Sequence, residues 1–173
     1  MNLNKNLLSI CLVLVGSFLF SANTFAATPA TSLKVVGEAE MRWLMFPVYR
    51  VTLKTKDGQY QKNSYPQLLD VLYLRSIDKQ DLLTATDGEW KGLGVPLARR
   101  QEWVKQLGSL WPSIKRGDRL AFQVDAKGQN YFTHNGKNIG GVSDAFFGEA
   151  FLAIWLSPNT SRPAIRQQLI SGS

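Results

Sequence analysis

The sequence predicts an α+β fold in which an antiparallel sheet is covered by helices on one face. Three segments with the period-two alternation of strands come first, and segments with helical periodicity follow from about residue 78. A strand pair and two further helices complete the chain. Runs of strands and runs of helices favour this class over repeated βαβ units. No linker, repeat or low-complexity segment divides residues 33–171, so we expect one domain there.

The first 26 residues are predicted to be a cleaved signal peptide. Lys5 supplies a charged start, residues 7–20 are almost wholly apolar, and Thr24 and Ala26 are the small residues before the expected cleavage site. The apolar stretch falls short of the roughly 20 residues that span a bilayer. We therefore expect an exported protein that resides in the periplasm.

Composition narrows the possible functions. The net charge is +7, and the chain has one cysteine and one histidine. Because Cys11 lies in the predicted signal peptide, the mature chain would have no disulfide, and His134 alone makes no metal cluster. We expect no metal and no cofactor. Export argues against nucleic acid as a partner and favours a small ligand, with possible peripheral contact with an anionic membrane surface.

The strands are predicted from alternation and turn residues. Residues 33–44 form the first strand, which the Phe46-Pro47 pair interrupts. Strands at 48–55 and 68–75 follow, and the second of these is apolar enough to be central. A hairpin is predicted at 119–125 and 130–134, followed by the turn pair Asn135-Gly136. One side of the first strand is expected to face the core; it carries Leu33, Val35, Gly37, Ala39, Met41 and Trp43.

Four helices are predicted. Asp78, with Asp81 three residues on, resembles a capping box before a short helix that ends by 87–88. The helix at 97–111 has an apolar stripe of Leu97, Val104, Leu107 and Trp111, with Arg99, Arg100, Glu102 and Lys105 largely opposite. Ser143 is expected to cap an aromatic helix at 144–155, and Pro163 begins the last helix, which ends at Ile170.

Several features allow both a structural and a functional interpretation. His134 is either a catalytic base or a partly buried strand histidine. The glycine-rich segment 135–141 is either an anion-binding loop or a turn followed by a helix cap. The aromatic helix, with Phe146, Phe147, Phe151 and Trp155, is either core or the wall of an apolar pocket. The cations Arg99, Arg100, Lys115, Arg116 and Arg119 are either a recognition surface or a solvated one.

The C-terminal segment 154–161 (IWLSPNTS) resembles the end of bacterial chalcone isomerase-like proteins, and so does the spacing of Pro163, Arg166 and Leu169. Segments 36–42 and 48–51 and the pairs 117–118 and 135–136 share the likeness, which covers nearly all of 33–171. The resemblance implies an open-faced β-sandwich with a ligand cleft between the sheet and a helical layer. It also implies either flavonoid-ring isomerases or non-catalytic relatives that bind fatty acids.

The resemblance further implies site residues. Arg42 matches the family's strand arginine, and Tyr49 matches a position where the fatty-acid-binding relatives carry tyrosine. The enzymes' helix set of tyrosine, lysine and asparagine is absent except for Lys105. From the residues alone, Arg42 could instead be an exposed ion pair with Glu40, and Tyr49 a core tyrosine.

The preferred hypothesis is an exported protein that binds a fatty acid or similar anionic amphiphile without chalcone isomerase activity. Its predicted ligand-binding residues are Arg42, Tyr49, Tyr73, Lys105, Phe147, Phe151 and Trp155, with Phe146 as further apolar wall. The alternative is an isomerase or lyase on a small anionic substrate, using Lys105, Tyr73 or His134. A third possibility is an interaction module whose cleft is filled by side chains.

Overall fold

The computed structural model describes residues 32–171, so the predicted signal peptide at 1–26 lies outside the described residues. A six-stranded antiparallel sheet forms a meander in which each strand pairs with the next along the chain. The strands are β1 (Lys34–Trp43), β2 (Phe46–Thr55), β3 (Gln67–Tyr73), β4 (Arg119–Val124), β5 (Asn130–His134) and β6 (Lys137–Gly140). The helices are α1 (Lys79–Gly92), α2 (Leu97–Leu110), α3 (Phe147–Leu156) and α4 (Pro163–Ile170). β3 lies in the middle of the sheet, as its apolar composition predicted.

The core is an aromatic layer between the sheet and the helices. Trp90 of α1 and Trp103 of α2 meet edge to face with ring centroids 5.1 Å apart, and Phe147 of α3 packs on both. The sheet contributes Phe122 and Phe132, whose centroids are 4.7 Å apart. All five side chains are almost completely buried. Such edge-to-face contacts add to the free energy gained from burying apolar area.

The first strand differs from its predicted alternation at both ends. A bulge at Val36 turns that side chain into the core and leaves Val35 exposed. At the other end the strand continues to Trp43, and a two-residue turn leads directly into β2, so Phe46-Pro47 begins β2 instead of interrupting the sheet. Trp43, predicted to face the core, is exposed.

Two helix boundaries and one strand also differ from expectation. α1 continues through Gly88 to Gly92, because Trp90 is fully buried and its indole nitrogen donates to the Ala150 carbonyl at 3.0 Å. Neither Asp78 nor Ser143 makes the predicted cap: α1 has no side-chain cap hydrogen bond, and α3 begins only at Phe147. The glycine-rich segment forms a hairpin turn and β6, not a loop before a helix cap.

Arg100 was predicted on the polar face of α2 and is instead buried. Its guanidinium pairs with the Asp87 carboxylate and donates to the Val95 carbonyl at 3.1 Å. Leu97, predicted on the apolar stripe, is exposed. The helix is therefore rotated from the predicted orientation. The buried arginine is tolerated because its donors have hydrogen-bond partners. The last helix, in contrast, begins and ends where predicted.

Two searches of residues 32–171 were negative. No helix there is both long and apolar enough to cross a bilayer. No three side chains of the ligating types His, Cys, Asp and Glu lie together as a metal site would require.

Candidate functional site

A cleft opens between the sheet and helices α1 and α3. Its empty volume, which includes the open solvent at its mouth, is about 700 Å³. The strands β1 to β3 form its floor, and α1, α3 and the segment before α4 form its walls. The lining is mostly apolar and comprises Met41, Val48, Tyr49, Tyr73, Ile77, Asp81, Leu82, Ala85, Thr86, Glu89, Ile154, Trp155 and Arg162.

A bulge in β2 shapes the floor of this cleft. Met41 pairs with Tyr49, whereas Arg42 pairs with Pro47, so Val48 is the extra residue. An extra residue breaks the strict alternation of side chains. The consecutive residues Val48 and Tyr49 consequently both line the cleft.

Three aromatic side chains converge there. Tyr49 and Tyr73 are directly opposite each other on β2 and β3, with ring centroids 6.1 Å apart. The indole nitrogen of Trp155 donates to the Tyr49 hydroxyl oxygen at 3.1 Å. Neither the Tyr49 hydroxyl nor the Tyr73 hydroxyl donates a hydrogen bond to another of residues 32–171, so each has a proton to offer a ligand.

Both phenols are held in the neutral form. Burial raises the pKa of Tyr49; the hydrogen bond from Trp155 and the charge of Arg162 act against this rise, and the charge of Glu89 adds to it. Burial also raises the pKa of Tyr73 far above its usual value, and Tyr49 contributes a little. At neutral pH the two tyrosines are therefore hydrogen-bond donors and cannot act as bases.

The charged groups lie at one side of the cleft. Arg162, half-buried just before α4, makes no ion pair with any described residue and is close enough to influence Tyr49. Glu89 of α1 accepts a hydrogen bond from the Ser161 hydroxyl at 2.7 Å. Asp81 is exposed on the rim. The cleft thus has one cation and two donor hydroxyls facing an apolar interior, with both carboxylates on the α1 side.

The structure brings together three of the predicted ligand-binding residues, Tyr49, Tyr73 and Trp155. Arg42 lies elsewhere: its guanidinium pairs with Glu40 at 2.8 Å on the solvent face of β1, the alternative that the sequence left open. The bulge at Val48 lies in β2 and does not turn Arg42 towards the cleft, because Arg42 and Glu40 remain on the same face of β1.

The other predicted lining residues also lie away from the cleft. Phe147 and Phe151 are part of the aromatic core, and Lys105 is exposed on the outer side of α2. Phe146 is exposed as well, with the Arg99 guanidinium 4.4 Å from its ring centroid. Of the aromatic helix, only its last turn therefore reaches the cleft.

His134 belongs to a brace at the end of β4 and β5. Its Nε2 lies 3.1 Å from Asp118 Oδ2, and the Asn135 side chain donates to Asp118 Oδ1 at 3.0 Å. The hydrogen bond from Asn135, with those from the Lys115 amide and His134, lowers the pKa of Asp118 to about 2. This arrangement agrees with the structural interpretation of the histidine.

Sequence reasoning missed Arg162 and the α1 residues of the cleft. Arg162 directly precedes the Pro163–Leu169 motif, a position that could have marked it for inspection. Glu89 gave no such signal, because α1 was expected to end before it.

Comparisons with known proteins bear on the fold. No protein-family model matches the sequence. An uncharacterised protein of Haemophilus influenzae is 29% identical over 146 residues, which cover 84% of this chain and 72% of the relative. Among solved structures, a fatty-acid binding protein of Arabidopsis thaliana superposes with a TM-score of 0.66 and 11% identity, covering 84% of this chain and 90% of that one.

The structural likeness confirms the predicted fold. The chain has the chalcone isomerase-like α+β architecture, an open antiparallel sheet with helices packed on it. Membership of the exported bacterial branch remains a prediction from the sequence motifs.

Proposed function

We propose that this protein is exported to the periplasm and binds a fatty acid or similar anionic amphiphile in the cleft, without isomerising it. The observation that carries the proposal is the convergence of two phenol protons and one arginine at a mostly apolar cavity. Tyr49, Tyr73 and Arg162 supply these groups, and Asp81, Thr86 and Glu89 also line the cavity.

The chemistry of the cleft suits such a ligand. A carboxylate accepts hydrogen bonds from neutral phenols and from a guanidinium, and charge-assisted bonds of this kind are the stronger ones. Met41, Val48 and Ile154 offer the apolar surface that an alkyl chain needs. Glu89 also lines the cleft and would repel a carboxylate, so we expect the head group to lie nearer to the two tyrosines than to Glu89.

The fatty-acid binding protein of Arabidopsis thaliana supports this choice, since it shares the fold. The enzymatic alternative has less support: of Lys105, Tyr73 and His134, only Tyr73 lines the cleft, and burial keeps it protonated. The third hypothesis expected a cleft filled by side chains, whereas this one is open.

Native mass spectrometry of the purified protein, followed by titration with palmitate, tests the proposal. A hydrogen bond to a charged group contributes roughly 1.5–3 kcal/mol. Arg162→Gln is therefore expected to weaken palmitate binding about tenfold or more. Tyr49→Phe should also weaken binding, while conserving the ring that packs on Tyr73.

Arg42→Gln is the matched control, because it makes the same substitution at an arginine that lies on the solvent face of β1, outside the cleft. We expect its affinity to equal that of the wild type. A loss of affinity in Arg42→Gln with none in Arg162→Gln would instead favour the site implied by the sequence resemblance. Absence of palmitate binding to the wild-type protein, together with no co-purifying lipid, would refute the proposed function.

A further inference from the structure

The turn between β1 and β2 exposes four consecutive large apolar side chains. Trp43, Leu44, Met45 and Phe46 are 61%, 82%, 81% and 66% exposed. We call these four residues the apolar tip. A patch of this kind is unusual on a soluble surface, where large apolar side chains are normally scattered singly.

The apolar tip is unfavourable in its backbone conformation as well as in its exposure to water. Leu44 has φ 55°, in the left-handed region that leucine rarely adopts. The two-residue turn between β5 and β6 lies at the same end of the sheet and uses Asn135-Gly136, with φ 51° and 81°. Those residue types favour such turns. The contrast within one sheet indicates that the apolar tip serves something other than turn formation.

Exposed cations share this end of the sheet. The Leu74 amide donates to the Val48 carbonyl and the Gly117 amide to the Tyr73 carbonyl, so the loops at 74–77 and 115–118 lie beside the start of β2. Four exposed basic side chains without an ion-pair partner in the described part of the chain lie on these loops and on the β5–β6 turn: Arg75, Lys115, Arg116 and Lys137. They outnumber the nearby carboxylates outside the Arg42 pair, which are Asp78, Asp81 and Asp118.

We propose that this end of the sheet is a docking surface for anionic phospholipid membranes. The apolar tip inserts at the level of the lipid head groups, where tryptophan is favoured, and the flanking cations contact the lipid phosphates. Each Lys or Arg near an anionic surface strengthens such binding roughly fivefold. One exposed turn is too small to anchor the protein permanently, so the binding is peripheral and reversible.

The docking surface adjoins the cleft. Met41 lies two residues before Trp43, and Val48 lies two residues after Phe46; both line the cleft. A docked molecule would therefore present the cleft to the bilayer, so that an amphiphile could pass between them. This last step rests on the proposed function, whereas membrane docking itself does not.

Sedimentation with vesicles tests the docking. The purified protein is mixed with fatty-acid-free vesicles of phosphatidylcholine, with or without phosphatidylglycerol. We expect binding to the anionic vesicles and a blue shift of tryptophan emission that is absent in Trp43→Phe. All variants keep the same N-terminus, so differences between them report the altered residues alone.

The informative variant replaces Leu44 by Gly and Met45 by Ser, residues that suit a two-residue turn. We expect vesicle binding to weaken at least about tenfold, with a melting temperature equal to or above that of the wild type. The unchanged fold separates loss of docking from loss of structure. Phe146→Ser is the matched control, since Phe146 is 60% exposed on the helical layer and should leave vesicle binding unchanged. Arg75→Gln and Arg116→Gln should each weaken binding to the anionic vesicles roughly fivefold.

Three outcomes would overturn the docking proposal. The first is that the wild type does not sediment with anionic vesicles, and the second is that the Leu44/Met45 variant binds them as well as the wild type. The third is that the wild type forms a dimer in solution and the Leu44/Met45 variant does not, which would assign the tip to a second copy of this chain. Because the vesicles contain no fatty acid, none of these results would affect the palmitate titration.

Discussion

Gly37 is the point at which α4 meets the sheet, and replacing it by alanine tests that contact. A Cβ at this position would lie 2.7 Å from the Leu169 carbonyl oxygen and nearer still to that of Gln168. Both obstacles are backbone atoms near the end of α4. No side-chain rotation can relieve the clash, so the helix itself would have to move away from β1.

The magnitude follows from what holds α4 in place. An eight-residue helix is unstable alone and depends on docking through Leu169, which is fully buried, and Ile165. Overpacking a close contact typically costs 1–3 kcal/mol. For a domain of this size we therefore expect Gly37→Ala to lower the melting temperature by roughly 3–10 °C.

Gly88→Ala is the control for this measurement. Gly88 lies within α1, and a Cβ there would meet nothing within 4 Å. Alanine should stabilise that helix by about 0.5–1 kcal/mol, because it removes the entropic cost of glycine. Thermal unfolding followed by circular dichroism compares the two variants. If Gly37→Ala melted at or above the wild-type temperature, the close approach of α4 to β1 would be refuted.

Two further predictions concern pH. Because the pKa of Tyr73 is raised in the folded state, the unfolded chain loses this proton first as pH rises. The stability difference between wild type and Tyr73→Phe should therefore be constant below pH about 10 and shift against the wild type above it. Urea unfolding between pH 8 and 11 measures this difference, and a constant value would contradict the burial of the hydroxyl. Asp118 has the opposite sign: its pKa is lowered to about 2, so its contribution is present above pH about 4 and is lost as pH falls towards 2. The urea midpoints of wild type and Asp118→Asn should therefore differ at pH 6 and converge near pH 2, and equal midpoints throughout would show that the brace with His134 and Asn135 adds nothing.

The places where the sequence misled are instructive. α1 was expected to end at Asp87-Gly88 because glycine weakens helices, yet burial of Trp90 outweighs that local preference. Bulges at Val36 and Val48 each changed which side chains face inward, and nothing in the local pattern marks a bulge. Arg42 lies on the solvent face with Glu40, because side chains two positions apart in a strand point to the same side of the sheet.

The sequence by itself determined the order of the first five strands and the four helices, the central position of β3, the Asn135-Gly136 turn and the last helix. These features depend on periodicity and turn chemistry within a few residues, which can be recognised without knowing the fold. Only the tertiary structure decided the composition of the cleft. Tyr49 and Trp155 are 106 positions apart and share a hydrogen bond, and Arg162 joins them from a segment with no strand or helix periodicity of its own. Contacts of that kind arise from the packing of helices on the sheet, so the residues that we expect to hold a ligand were brought together by the fold.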